Sequence, residues 1–470
     1  MKKLFCILLL LSPVIALTQQ PWYKSAPTDF TWKVVGSEGF SGSDAQWTSL
    51  AFSPADGELY IAYEDLSNIY WAPTVKKFNG TDWETVGQEG FGDAGAQYLS
   101  FAFNPFDSLP YLSFEGIYGY TYSEATVMKF DGTSWNPVGY KGFSRSFVRY
   151  TSLAFGPGGE PYVAFQDFTL PGDTGKNAYV SVMKYDGSNW VYVGNESFSA
   201  RDAEYISLAF SPSGEPYVAY TEGVYYGEAT VMKFDGTNWV NVGNPGFTSG
   251  GVEYTCLAFG PGGVPYVAYS DLGNWRKATV KKFDGTNWVY VGTPGFSDNI
   301  VYQISFTFSP AGEPYVAYDD VINHRKANVM KFDGTNWVNV GPRGLSEGPA
   351  YDENIIISSS GEPYVAYRDS TNNLRATVKK FDSVYVGITK TQDLRLSLYP
   401  NPATDNITIE MSAVPAKSKL SITNLNGQEL ISRQISERKS VFDISDLSAG
   451  VYLVRITNDK SVEVGKIIKR

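Results

Sequence analysis

The sequence predicts an all-β chain: a seven-bladed β-propeller followed by a small immunoglobulin-like β-sandwich. Three observations predict it. One unit of roughly fifty residues recurs seven times, the spacing of a four-stranded blade. Each copy reads as four short alternating strands parted by turn residues. Near residue 388 the repeat stops, and a differently patterned segment runs to the C-terminus.

The innermost strands are SLAF at Ser49, Ser152 and Ser207, SFAF at Ser100, CLAF at Cys256, SFTF at Ser305 and NIII at Asn354. The second strands are LYIAY at Leu59, PYLSF at Pro110, PYVAF at Pro161, and PYVAY at Pro216, Pro265, Pro314 and Pro363. Third strands follow the pattern TVKKF of Thr74, each with a lysine, from Lys77 to Lys380. Asp-Gly-Thr-Asn or a close variant then makes a tight hairpin into a tryptophan. The tryptophans from Trp32 to Trp337 lie 51, 52, 55, 49, 49 and 49 residues apart. Their recurrence in every copy marks them as blade packing. The N-terminal fourth strand, Trp32 to Gly36, is a surplus copy and is expected to complete blade 7. The competing closure uses Val384 to Gly387. Either one ties the ring shut and removes open sheet edges.

Composition bounds the function. Net charge is −11, which argues against nucleic acid and anionic membrane as partners. Residues 31–387 carry net charge −16 and residues 394–470 carry +3, a shift that marks a domain boundary. Lys2 and Lys3, the apolar run Leu4–Leu11 and small residues to Thr18 read as a signal peptide over residues 1–18. No segment is long and apolar enough to span a membrane. Cys256 would be the one cysteine left, at a position where other copies carry serine, so a disulfide scaffold is excluded. With His324 the sole histidine, no metal site, cofactor or catalytic residue is assigned.

Over residues 31–387 the strand layout resembles kelch-type propellers, although Ala268-Tyr269 stands where those end the second strand in a glycine doublet. Beyond a linker at 388–395, residues 396–470 resemble the type A C-terminal sorting domain of the type IX secretion system. The motifs are Tyr399-Pro400-Asn401-Pro402, Asn424-Leu-Asn-Gly427, Leu447-Ser-Ala-Gly450-Val-Tyr452 and the basic end Lys466-Ile-Ile-Lys469-Arg470. The resemblance implies a partnership with that secretion machinery, passage across the outer membrane, and removal of the tail near the linker.

In a four-stranded blade, loops after the second and fourth strands share one face. These loops vary between copies, and variable loops on a rigid scaffold are where binding concentrates. The candidate ligand-binding aromatics there are Tyr70, Trp71, Tyr118, Tyr120, Tyr225, Tyr226 and Trp275, with His324 beside them. Candidate acids at the strand ends are Asp65, Asp167, Asp271 and Asp320. Aromatic faces with nearby carboxylates suit sugar rings and their hydroxyls. The sequence therefore points to non-catalytic binding of glycans or another cell-surface ligand. The alternatives are a propeller hydrolase or lyase acting on polysaccharide, in which two carboxyls suffice, and a purely structural surface protein.

Overall fold

The computed structural model describes residues 30–68, 70–92, 94–118, 122–144, 147–168, 178–223, 227–383, 396–411, 418–424, 429–435, 437–457 and 462–470. The signal-peptide reading and the strand proposed at Val384 to Gly387 lie outside them. Phe30–Ser383 form one compact unit, and the C-terminal residues belong to another.

The first unit is a β-propeller of seven four-stranded antiparallel sheets. Blade 1 runs Ala45–Phe52, Leu59–Asp65, Pro73–Phe78 and Trp83–Thr85, from axis to rim. Blades 2 to 6 repeat that order. Blade 7 takes Ala350–Ile357, Pro363–Asp369 and Arg375–Ser383 from the end of the unit and its outer strand, Phe30–Val34, from the start. Trp32 lies opposite Phe381 in that pairing. The ring is also closed at the axis, where Leu50 N donates to Asn354 Oδ1 at 2.8 Å.

Each blade is bolted to the one before it by its tryptophan. In all seven, Nε1 donates to the carbonyl of a valine following the preceding outer strand, as from Trp239 to Val193 and from Trp32 to Val340. Six of the indoles also stack on a phenylalanine of the preceding blade's loop. Phe143 and Trp190, at 4.0 Å and 9°, are representative. Blade 7 substitutes Leu345 in the cluster around Trp32. The glycine after each such valine is required. At Gly87, φ is +78° and a Cβ would sit 3.0 Å from Phe130 and 3.1 Å from Trp135. The repeated lysine is an ion-pair partner in four blades: Lys77–Glu58, Lys129–Asp107, Lys233–Glu215 and Lys331–Glu313, at 2.8–3.2 Å.

The second unit packs a three-stranded sheet (Leu396–Tyr399, Asn406–Met411, Lys439–Asp443) with a four-stranded one (Glu429–Ile435, Ser418–Asn424, Gly450–Thr457, Val462–Lys469). Ile407, Ile409, Leu420, Ile422, Val454 and Ile467 form its core. On the strand starting at Gly450, the buried set is Tyr452, Val454 and Ile456. Val451 and Arg455 face outward. Tyr452 OH donates to Ser448 O at 2.8 Å. Between Pro400 and Pro402, Asn401 grips the last strand. Its amide donates to Lys466 O at 2.7 Å and its oxygen accepts from Ile468 N at 2.9 Å. Lys469 is buried, whereas Lys466 is exposed.

Candidate functional site: the axial cavity

Every innermost strand carries a β-bulge near its start, on the face of the loops after the second strand. A bulge re-aims a side chain at a local conformational cost. The residue it re-aims has positive φ in all seven blades: Trp47, Tyr98, Tyr150, Tyr205, Tyr254, Gln303 and Asp352, between 49° and 56°. These seven side chains converge on the axis and line a cavity of about 460 Å³.

The wall is not symmetric. Blades 1 to 5 supply a continuous aromatic arc. Ring centroids follow one another at 4.4, 4.6, 5.2 and 4.7 Å from Trp47 through Tyr98, Tyr150 and Tyr205 to Tyr254. Burial holds the Tyr150 and Tyr205 phenols far above their usual range and pushes Tyr254 up to about 12, so they are neutral donors and acceptors. Blades 6 and 7 supply a polar arc. Gln303 Nε2 donates to Asp352 Oδ1 at 2.6 Å, and Gln303 Oε1 accepts from Asp352 N at 2.7 Å. Trp47 N donates to the other Asp352 oxygen at 3.2 Å.

The next residue along each strand also lines the cavity. In blades 1, 3 and 5 it is Thr48, Thr151 and Thr255, whose hydroxyls donate to backbone carbonyls of the preceding blade. In blade 7 it is Glu353. Glu353 is 5% exposed, and neither carboxyl oxygen has a hydrogen-bond partner. Burial, then the neighbouring Asp319 and Asp352, raise its proton affinity well above that of an ordinary glutamate. Asp319 is itself buried. It holds Arg325 at 2.7 Å and accepts from Tyr302 N at 2.7 Å.

One strand outward, the equivalent position on each second strand reads Glu64, Glu115, Gln166, Thr221, Ser270, Asp319 and Arg368. Thr221 and Ser270 donate to the next blade's carbonyls at 3.3 and 3.0 Å. Arg368 pairs with Asp44 across the ring seam. Glu64, Glu115 and Gln166 each keep one buried oxygen without a partner. Burial, with charge from Asp352, Asp44 and Glu115 as lesser causes, pushes Glu64 up to about 7. On the side of blades 5 to 7, guanidinium groups and tyrosines alternate: Arg276 over Tyr302, Arg325 between Tyr302 and Tyr351, and Arg368 over Tyr351, at 4.5–5.8 Å. Each of these arginines is already matched by an acid, Glu253, Asp319 or Asp44.

The face expected from the loops is the face onto which this cavity opens, but the expected residues divide. Trp275, Tyr70 and Trp71 are 84%, 58% and 51% exposed, and His324 is exposed. Trp71, Trp275 and His324 share one left-handed loop position, φ 55–59°, which turns them outward. The side chain of Tyr118 is not described, and Tyr120, Tyr225 and Tyr226 lie outside the described residues. The four acids are not surface groups. Asp65, Asp167, Asp271 and Asp320 are each 1% exposed. Asp65, Asp167 and Asp271 accept from a third-strand hydroxyl, Thr74, Ser181 or Thr279, at 2.6–3.0 Å. That hydroxyl in turn receives a loop amide, as from Gly90 N to Thr74. Asp320 instead pairs with Arg343 and Asn299. These carboxylates brace their loops. Cys256 replaces the serine of other blades and donates to Ile304 O at 3.1 Å, with burial pushing its thiol up to about 11. Sequence reading missed the residues at the bulge. Their signal is a position two before the Ser of SLAF that is aromatic five times, then Gln303, then Asp352.

The chain is thus an all-β protein: a propeller with an asymmetric axial cavity, carrying a separate β-sandwich. Residues 397–470 match the family described as secretion system C-terminal sorting domain. That match marks the chain for type IX export to the cell surface or the medium, and among the described residues no helix is long and apolar enough to cross a membrane. No curated protein matches the chain. Among solved structures, it resembles PorZ, a surface component of the type IX secretion system of Porphyromonas gingivalis, at 12% identity and TM-score 0.46. That likeness covers 92% of this chain and 60% of that one. A fungal alcohol oxidase with copper aligns at 11% identity and TM-score 0.49 over 92% and 100% of the two chains. The α-L-arabinanase of Penicillium chrysogenum aligns at 13% and 0.44 over 77% and 100%. Likenesses this distant carry no argument about activity.

Proposed function

We propose that this is an exported propeller that binds a glycan in its axial cavity without turning it over. One observation carries the reading: the sevenfold repeat is broken at the cavity wall, where an unbroken aromatic arc faces Gln303, Asp352 and Glu353. A purely structural ring has no need of that break. Stacked aromatics suit the faces of sugar rings, and the polar arc suits their hydroxyls. Trp275, Trp71 and Tyr70 on the loops would meet the parts of a long chain that project from the cavity. The signal peptide, the domain limits at 31–387 and 396–470, and tail removal near 388–395 belong to the same proposal.

A second reading has one observation behind it. Glu353 is a buried carboxyl whose proton affinity is raised by burial and by the neighbouring Asp319 and Asp352, as suits a general acid. Full-length protein should be tested against a polysaccharide panel, with sugar release assayed in the same wells. Binding lost in Tyr150→Ala, without sugar release, supports the binding reading. Sugar release that stops in Glu353→Gln transfers the site to hydrolysis or lysis. No binding to any glycan rejects both.

A further inference from the structure

We propose that the ligand of the axial cavity carries an ammonium group, so that the sugar it takes is an amino sugar. Its ring seats on the arc of Tyr98, Tyr150 and Tyr205, and its ammonium on Glu353 and Asp352. The inference rests on the binding reading above and deepens it.

Three features lead there. First, Glu353 is an acceptor-rich group with nothing to accept from. Both oxygens are buried and unpartnered, at a position where three other blades place a threonine that is satisfied. Leaving a carboxyl in that state costs stability. A ligand that donates strongly there removes the cost, and an ammonium, with three N–H groups and a full charge, donates most. Secondly, the described cations on that side of the ring are committed elsewhere. Arg325, the one that acts on Glu353, is held by Asp319 at 2.7 Å, while Arg276 and Arg368 are held by Glu253 and Asp44, and Arg149 of blade 3 acts on Tyr98 and Glu115 instead. Thirdly, the rest of the wall is Trp47 and four tyrosines, and aromatic faces attract cations. An aromatic wall closed by an uncompensated acid is what a cation-binding cage requires. At about 460 Å³ the cavity falls in the range of about 300–1,000 Å³ usual for ligand pockets.

The same geometry couples binding to protons. Glu353 faces Asp319 and Arg325 from blade 6, and Asp352 and Tyr367 within blade 7. Burial and the two aspartates raise its proton affinity in the empty cavity, whereas an arriving ammonium favours its ionised form. Ammonium binding therefore drives Glu353 towards giving up a proton. Affinity rises with pH until the ligand amine loses its own proton.

The test compares three β-1,4-linked tetrasaccharides on the full-length protein by calorimetry: glucosamine tetramer, N-acetylglucosamine tetramer and cellotetraose. The glucosamine tetramer should bind about tenfold or more tightly than the other two, with proton release seen as a buffer-dependent heat. Glu353→Gln should abolish that preference, bringing the glucosamine tetramer to within about twofold of cellotetraose in the same variant. Glu353→Thr, which installs the side chain of blades 1, 3 and 5, should do the same and raise the melting temperature, so loss of preference is not loss of fold. Equal binding of all three sugars, unmoved by either variant, overturns the ammonium inference and leaves glycan binding standing. Absence of binding by all three overturns the ammonium inference, and the polysaccharide panel then decides whether glycan binding stands.

Discussion

Replacing Glu64 by glutamine tests the electrostatics of the cavity surround without touching its wall. Glu64 is 1% exposed, and its carboxyl titrates at about 7 instead of 4.5, chiefly because burial disfavours the charged form. The native state therefore holds a proton that the unfolded chain has released between these values. Stability from this group is fully present below about pH 4.5 and is lost as pH rises through about 7. At about 1.4 kcal/mol per factor of ten in proton affinity, the loss is about 3 kcal/mol. Glu64→Gln carries no titrating proton. The stability of the variant relative to the parent should climb by about 3 kcal/mol between about pH 4 and pH 8, whatever constant offset the amide introduces. Urea unfolding of both proteins at several pH values, followed by tryptophan fluorescence, gives that difference directly. Other carboxyls largely cancel in the comparison. A difference that stays flat across the range would refute the assignment of a buried, proton-holding Glu64.

Other perturbations have defined outcomes. Trp239→Ala removes the bond to Val193 and the stack on Phe198, and should cost about 3–5 kcal/mol in denaturant unfolding. Trp239→Phe keeps most of the apolar area and should cost less than half as much, chiefly the carbonyl left unpaired. Gly87→Ala forces a side chain against Phe130 and Trp135 at positive φ, and a lower melting temperature should register at least about 1 kcal/mol. Asn401→Ala cuts both side-chain bonds to the last strand, at about 1–2 kcal/mol, so amides of residues 466–470 should exchange faster while the propeller amides stay unchanged.

The architecture was legible because each rule of the repeat is local. The Asp-Gly hairpins, the Tyr-rich second strands and the tryptophan spacing each name a strand or turn without reference to the rest of the chain. Even ring closure could be read from a surplus strand at Trp32, and the pairing with Phe381 bears that out. The cavity was harder to read. Which side chains reach the axis depends on a bulge, and a bulge shows in sequence only as one residue out of register. The surroundings of Asp65 and Asp271 were hidden for a related reason. A carboxylate at a strand end shows no partner in sequence until the threonine on the next strand that bonds it is known. Glu353 stood out least, because one glutamate among the acids of this chain has no signature until its missing partners are seen.

The seam also governs how the ring answers a pull. The N-terminal strand, not the C-terminal one, lies on the rim of blade 7, so the last strand of the propeller, Arg375–Ser383, is hydrogen-bonded along both flanks, to Phe30–Val34 and to Pro363–Asp369. Force applied through the chain beyond Ser383, as when a tail is drawn through a pore, meets two ladders in shear. It does not unzip a free edge one bond at a time. Cutting the chain anywhere after that strand leaves both ladders whole. A tether on the other terminus would bear on Phe30–Val34, which among the described residues is paired along one flank only.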